Sequence, residues 1–577
     1  MHTDIASHSD MIELVAATLG MWVLLSLYFI GFGSGIIRLA LGQTPQSLMR
    51  AFWLGWAAWL GVLQVVHFFV GLSAAWVTGL LCVVGGIGLF TARPRALALM
   101  SQLRGAAPRT WLWLAFAFVF ATWLANRAHG PLLSVDSGLY HLTSIKWAAD
   151  SPLFVGLGNL HGRLAFNNAT FLWLASLDAW PTWFRGFNVG PALLIFTAVA
   201  QFIHRIRASD SMSTPESMFR AILILPLVYA ATVMHVSSTG PDWVVLVLGA
   251  VLATELWDLL AQPNDEQASE RLVAIAAISA AGIATKLSFA AYAFAAIALA
   301  TAWLWRERKS HHTLRPFWAA LSLTLFLLVP WSARSIALSG YPAYPSTFAA
   351  QDVSWRVPTE RAVAEMQWIQ SWARAPGKDP KDVLGNRDWV RPWISARLRN
   401  ADSVTLFVIP GALFVLALFM GAVRRHDPAR SALIAALPAA LSIATWFATA
   451  PDPRFLGAAV WTCAAAAIAA GVSRIKSDGR RHRFTAAAGV CAIASLAFTV
   501  YMGSIVGGLF VKPGRDAGRY PIRPVATTPF TTDSGLVLNV PKVGQQCWDA
   551  PLPCTPYPAP RLGLRDPDFP SSGFELK

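Results

Sequence analysis

The sequence predicts an all-α, polytopic transmembrane helical bundle of about fourteen spans, with a loop domain on its outer face. Three observations carry that reading. Of 577 residues, 55% are apolar and only 13% are charged, where soluble domains carry about 25% charged residues. The apolar residues gather in runs near the ~20 that cross a ~30 Å hydrocarbon layer. The 26 tryptophans suit a membrane–water boundary, where an amphipathic ring is well accommodated. The net charge of +15 would suit a nucleic acid if it formed one continuous face. Instead the basic residues sit in short clusters between apolar runs, which membrane topology explains and nucleic-acid binding does not.

Taken in order, Met1–Asp10 lacks the basic flank of a cleavable signal, so the first apolar run reads as a permanent anchor. The N-terminal group (1–126) holds spans at 11–31, 52–71, 73–91 and 110–126. The central group (188–338) holds spans at 188–204, 219–237, 242–260, 271–285, 287–305 and 315–336. The C-terminal group (403–508) holds spans at 403–423, 431–449, 454–472 and 484–508. Five basic clusters alternate with loops poor in Lys and Arg: Arg93/Arg95/Arg104/Arg109, Arg205/Arg207/Arg220, Arg306/Arg308/Lys309/Arg315, Arg424/Arg425/Arg430 and Arg474/Lys476/Arg480/Arg481/Arg483. The positive-inside rule places these clusters in the cytoplasm and both termini outside.

Three stretches remain. The outer loop 127–187 contains a predicted helix from Ser137 to Asp150. It also contains Leu164–Trp180, apolar but interrupted by Asn167, Asn168 and Asp178. A crossing there would turn the next cytoplasmic loop outward, so it reads as a re-entrant or interfacial helix. The loop 339–402 is longer than those the charge rule governs and is expected to fold as a small helical cap. The segment 509–577 is Pro-rich and weakly patterned, an outer tail or a loosely packed lid. It carries Cys547 and Cys554, which can join as a disulfide if the tail lies outside the reducing cytoplasm. Cys82, Cys463 and Cys491 lie in apolar segments and read as inert core residues. No metal-ligand spacing is visible, so no ligand is named; a divalent cation remains open as a cofactor.

The chemistry begins at Ser134-Val135-Asp136-Ser137-Gly138-Leu139-Tyr140-His141, since acid, phenol and imidazole beside a span are costly without a purpose. With the predicted topology, Asp136, Tyr140, His141, Lys146, Arg163 and Asn167 reach one face of the membrane. The loop from His235 to Asp242, Lys286, Arg334 and Asp452-Pro453-Arg454-Phe455 reach the same face. That is the layout of a site between helices. Each residue also has a purely structural role open to it. Asp136 is a favoured N-cap for the helix that follows. His141 can be a satisfied interfacial histidine. Asp242, after Gly240-Pro241, suits a helix start. Lys286 and Arg454 can snorkel to the interface, and Arg454 can pair with Asp452.

Three features resemble the GT-C membrane glycosyltransferases, a superfamily that includes protein O-mannosyltransferases, oligosaccharyltransferases and lipid A aminoarabinose transferases. They are the acid heading an outer loop and helix (Val135-Asp136-Ser137-Gly138-Leu139-Tyr140-His141), the Ala284-Thr285-Lys286 step between apolar helices, and Pro453-Arg454-Phe455 before a late span. The resemblance implies transfer of a sugar from a polyprenyl-phosphate donor to a hydroxyl of a glycan, lipid or protein acceptor. The setting would be the periplasmic side of a bacterial inner membrane. It implies Asp136 as general base, Lys286, Arg454 and Arg334 as holders of the leaving phosphate, and Tyr140, His141, Arg163, Asn167 and Asp242 as substrate contacts. The chain departs from the superfamily in carrying three apolar runs more before the loop, Ser137 where a second acid is common, and no Asp-x-Asp motif. The rival enzyme reading is an O-antigen polymerase or ligase using Arg356 or Arg391 of the 339–402 loop. The rival outside enzymology is a lipid-linked glycan transporter or flippase, against which stands the absence of a convincing internal repeat.

Overall fold

The computed structural model describes residues 8–132, 134–178, 186–208, 214–233, 236–262, 266–307, 313–419, 427–474, 478–506, 508–511 and 525–577. His235, Arg308, Lys309, Arg424, Arg425, Lys476 and the end of the 164–180 segment lie outside them, as do the side chains of Arg430, Arg474, Arg480, Arg481, Arg483 and Cys491.

The chain opens with α1 (His8–Leu41), α2 (Leu48–Val66), α3 (Ala75–Arg104) and α4 (Pro108–Ala128). The polar passage holds α5 (Leu142–Asp150), α6 (Leu157–Leu160) and α7 (Ala169–Ser176). Next come α8 (Gly186–Arg207), α9 (Pro215–Thr232), α10 (Pro241–Ala261), α11 (Ala268–Thr285), α12 (Ala290–Glu307) and α13 (Arg315–Ser339). The long loop carries α14 (Thr359–Arg374), α15 (Pro380–Val383) and α16 (Val390–Arg397). The last helices are α17 (Ala401–Ser403), α18 (Ile409–Phe419), α19 (Asp427–Ala435), α20 (Leu437–Thr449), α21 (Ala459–Arg474) and α22 (Asp478–Val506).

Among the described residues, eleven helices are long and apolar enough to cross a membrane. They coincide with eleven of the runs expected from the sequence. The other three expected spans fall short of that measure. One is α9, which opens with Glu216 and Arg220 and contains Pro226. The others are the apolar stretches of α21 and α22, Ala459–Val472 and Ala492–Ile505, which are shorter.

Burial divides the bundle into a centre and a ring. The apolar windows of α2, α8, α10 and α11 are 72–94% buried, against 28–33% for α1, α3, α4, α12 and α13, so the first set forms the core and the second presents apolar surface outward. Small residues make the close approaches. A side chain at Gly31 would collide with the backbone of Gly85 in α3, and one at Gly33 with that of Ala51 in α2. A buried ionic staple then ties the core helices together. Arg50 of α2 bonds Glu255 of α10 at 2.9 Å and Glu270 of α11 at 2.7 Å. Gln201 of α8 donates to Glu255 at 3.0 Å and accepts from Trp53 Nε1 at 2.7 Å. A guanidinium inside a bundle survives only when paired and hydrogen-bonded in this way.

The structure gives form to two of the loops and corrects the expectation for one of them, the C-terminal stretch. Among its described residues, the Leu164–Trp180 stretch contains the end of a 3-10 turn and one eight-residue α-helix, α7, buried at every position and capped by Asn168, which accepts from the Thr170 amide at 2.8 Å. Eight residues rise about 12 Å, too little to cross. The C-terminal stretch is not loosely packed. It forms two antiparallel hairpins, β1 (Thr527–Thr531) with β2 (Val537–Pro541) and β3 (Leu562–Leu564) with β4 (Phe574–Leu576). The Cys547–Cys554 disulfide lies between them, with Cα atoms 6.0 Å apart. Proline and turn residues hide this order from a periodicity reading, because strands this short never build an alternating run. The hairpin module closes over α5. The Phe574 amide donates to Val155 O at 2.9 Å, Thr555 Oγ1 donates to Leu160 O at 3.1 Å, and Lys146 pairs with Asp549 at 3.5 Å.

Candidate functional site

Ser137–His141 forms a single π-helical turn leading into α5. Such turns widen the helix locally and recur at functional sites. Asp136, just before it, already has helical backbone angles and makes no side-chain cap. The expected N-cap role is therefore absent: an αR residue cannot fold its carboxylate back onto the following amides. The carboxylate points to two arginines instead. Its Oδ1 lies 3.5 Å from Arg163 and its Oδ2 lies 3.8 Å from Arg454, with the side chain 30% exposed. The second distance is a Coulombic pairing rather than a hydrogen bond.

Each arginine has a second acid. Arg163 donates from Nε to Glu365 of α14 at 3.2 Å. Arg454 Nε lies 3.4 Å from Asp452, whose carboxylate also accepts from the Arg454 amide at 3.1 Å. Lys286 sits where α11 ends in an extended residue before a short 3-10 turn. It pairs with Asp242, in the first turn of α10. Its ammonium lies 4.0 Å from the centre of the Phe455 ring, and the Arg454 guanidinium lies 5.8 Å from the same ring. One phenyl ring thus gathers two cations, within the usual cation–π range.

The π-turn is stitched to the loop before α10. His141 Nδ1 and Ser137 Oγ each lie 3.1 Å from Thr239 Oγ1. Burial lowers the His141 pKa to about 4, against the opposing pull of Asp136 and Asp242, so the ring is neutral at pH 7. Burial, with Asp136 adding to it, pushes the Tyr140 phenol well above its ordinary range. Burial pulls the Arg454 and Arg163 guanidinium pKa values down, but their neighbouring acids outweigh it and both are raised. The site therefore holds fixed cations, ionisable acids and neutral hydrogen-bonding groups side by side.

Arg334 and Asn167 stand apart from this chain of ion pairs. Arg334 is buried and bonds Asn167 and, at 3.3 Å, His67, the residue that follows α2. Trp331 Nε1 donates to Asn167 O at 2.7 Å. The structure joins the two residues to each other, fastening the loop that carries Arg163 onto α13, and does not add Arg334 to Lys286 and Arg454. Arg356, a candidate under the polymerase reading, makes its contacts with Gln351 and Asp352 of its own loop.

Sequence reasoning passed over Glu365 and Trp548, and named Thr239 and Phe455 only as members of their segments, without a role. Glu365 lies in a loop full of charges with no pattern to single it out. Trp548 is half-buried with φ at 43°, a left-handed conformation rare for a bulky residue. Its amide donates to Gly138 O at 3.0 Å, and its indole covers Gly138 so closely that a side chain there would overlap it. Gln546 donates to Val135 O at 3.1 Å. The hairpin module thus grips the turn that presents Asp136. Among the described residues, no group of three or more His, Cys, Asp or Glu could hold a metal ion.

A family model described as a domain of unknown function, DUF8201, matches residues 16–461. The chain belongs to that family. No curated protein and no solved structure matches it. The match spans Asp136, Arg163, Asp242, Lys286 and Arg454, and ends before the hairpin module.

Proposed function

We propose that this chain is an integral membrane glycosyltransferase of the GT-C type, moving a sugar from a polyprenyl-phosphate donor to an acceptor hydroxyl. The observation that carries the reading is Asp136 facing Arg454, which shares the Phe455 ring with Lys286. Asp136 takes the proton of the acceptor hydroxyl as its oxygen bonds the anomeric carbon. The bond from that carbon to the phosphate oxygen breaks, and the electron pair leaves with the polyprenyl phosphate. Lys286 and Arg454 stabilise that developing negative charge. Tyr140, His141 and Asp242 line the sugar or acceptor side. Arg163 orients Asp136, and Arg334 with Asn167 holds the Arg163 loop.

In this reading α9 and the two shorter apolar helices join the eleven long ones, giving fourteen crossings with both termini outside. The loops 127–187 and 339–402 and the hairpin module then form an outer-face domain on the periplasmic side of a bacterial inner membrane. A phosphate at the leaflet boundary keeps its headgroup polar while its chain stays in hydrocarbon.

The test is incubation of purified protein in nanodiscs with a panel of polyprenyl-phosphate sugars, comparing wild type with Asp136→Asn. Sugar release by wild type, and at least a 100-fold loss in the variant, supports the assignment. Transbilayer movement of the lipid-linked sugar without cleavage refutes it and favours a flippase.

A further inference from the structure

We propose that the groove between α1, α11 and α13 binds an anionic phospholipid, one acyl chain in the groove and the headgroup phosphate on Arg315. The groove has a volume of about 420 Å³ and is lined by Ile36 of α1, Val273 of α11, and Arg315, Trp318, Leu323 and Phe326 of α13. It lies at the far end of α13 from Arg334, away from the Asp136 cluster.

Its length fits the ligand. From Arg315 to Phe326 the helix rises about 16 Å, close to one leaflet of a ~30 Å hydrocarbon layer. Its ends differ in chemistry as a lipid does. At the mouth, Arg315 is exposed, and among the described residues its guanidinium has no ion pair or hydrogen bond. Trp318, one turn further in, is 62% exposed, as an interfacial anchor should be. At the floor, Val273 is buried, and Phe326 packs so tightly on Gly61 of α2 that a side chain there would strike its ring. An unpaired cation above an apolar slot between spanning helices is the arrangement that captures an acidic headgroup. A free phosphate would satisfy Arg315 and leave the slot unused.

The full chain in detergent, offered phosphatidylglycerol or phosphatidylcholine of identical chains, tests this by native mass spectrometry. Wild type retains phosphatidylglycerol about fivefold over phosphatidylcholine, the effect of one arginine beside an acidic lipid. Arg315→Gln loses the preference, whereas Arg315→Lys keeps it. Ser322→Phe, which fills the slot, lowers retention of both lipids, and inorganic phosphate does not displace the bound lipid. Equal retention of the two lipids by wild type overturns the proposal. So does an unchanged preference in Arg315→Gln, unchanged retention in Ser322→Phe, or displacement by phosphate.

Discussion

Gly138→Ala is the sharpest probe of how the hairpin module holds the turn that presents Asp136. The added methyl meets the Trp548 indole. That ring cannot simply turn away. Its Nε1 donates to Gln546 at 3.0 Å, its backbone amide is tied to Gly138 O, and the Cys547–Cys554 disulfide closes the segment around it. Overpacking of this kind costs about 1–3 kcal/mol. Expressed as local opening, it speeds amide exchange over residues 135–150 by roughly 5- to 150-fold, with α10 and α11 unaffected. Hydrogen exchange of the full chain in nanodiscs measures it. Trp548→Ala removes the obstacle, so the double variant recovers much of the protection that Gly138→Ala loses, a coupling of about 1–3 kcal/mol between contacting residues. Additive effects of the two changes, or unchanged exchange in Gly138→Ala, would refute the account of the module as a clamp on this turn.

Three further outcomes are expected. Arg50→Ala leaves Glu255 and Glu270 buried without their cation and destabilises the bundle by about 3–5 kcal/mol; replacing all three by Met, Gln and Gln recovers most of it, and denaturation in mild detergent reads both. Acidification loosens the Asp136 turn through His141. Burial lowers its folded pKa to about 4, so between about 6.5 and 4 the unfolded form takes up a proton the folded form refuses. The stabilisation is full above that window and about 3 kcal/mol smaller below it, and exchange of residues 135–150 in His141→Gln should show a flatter pH dependence. Lys286→Gln weakens retention of a polyprenyl phosphate, by about tenfold for one fixed cation removed from an anion, while Arg334→Gln affects it only through disorder of the Arg163 loop; binding of short-chain polyprenyl phosphate separates the two.

The residues differ in how legible they were. Asp136, Lys286 and Arg454 stand out in the sequence because each interrupts or flanks an apolar run, where a charge is conspicuous. Glu365 and Thr239 do not, since a Glu in a charged loop and a Thr before a helix are ordinary residues until a partner faces them. Arg334 shows the opposite failure. It has the right charge and the right end of a span, yet its guanidinium turns to Asn167 and His67, and no local pattern specifies which way a helix face points.

What the sequence by itself determined is which segments are long and apolar enough to suit hydrocarbon. Hydrocarbon admits long apolar helices and little else, so run length, charge content and tryptophan content suffice to find them. What only the tertiary structure decided is which charges neutralise one another. Asp136 and Arg454 come from opposite halves of the chain, and Coulombic attraction depends on their separation in space, which α10, α11 and the packed core between them set. The hairpin module belongs to the same category: its strands are too short to announce themselves, and it acquires order by closing on α5 and Gly138.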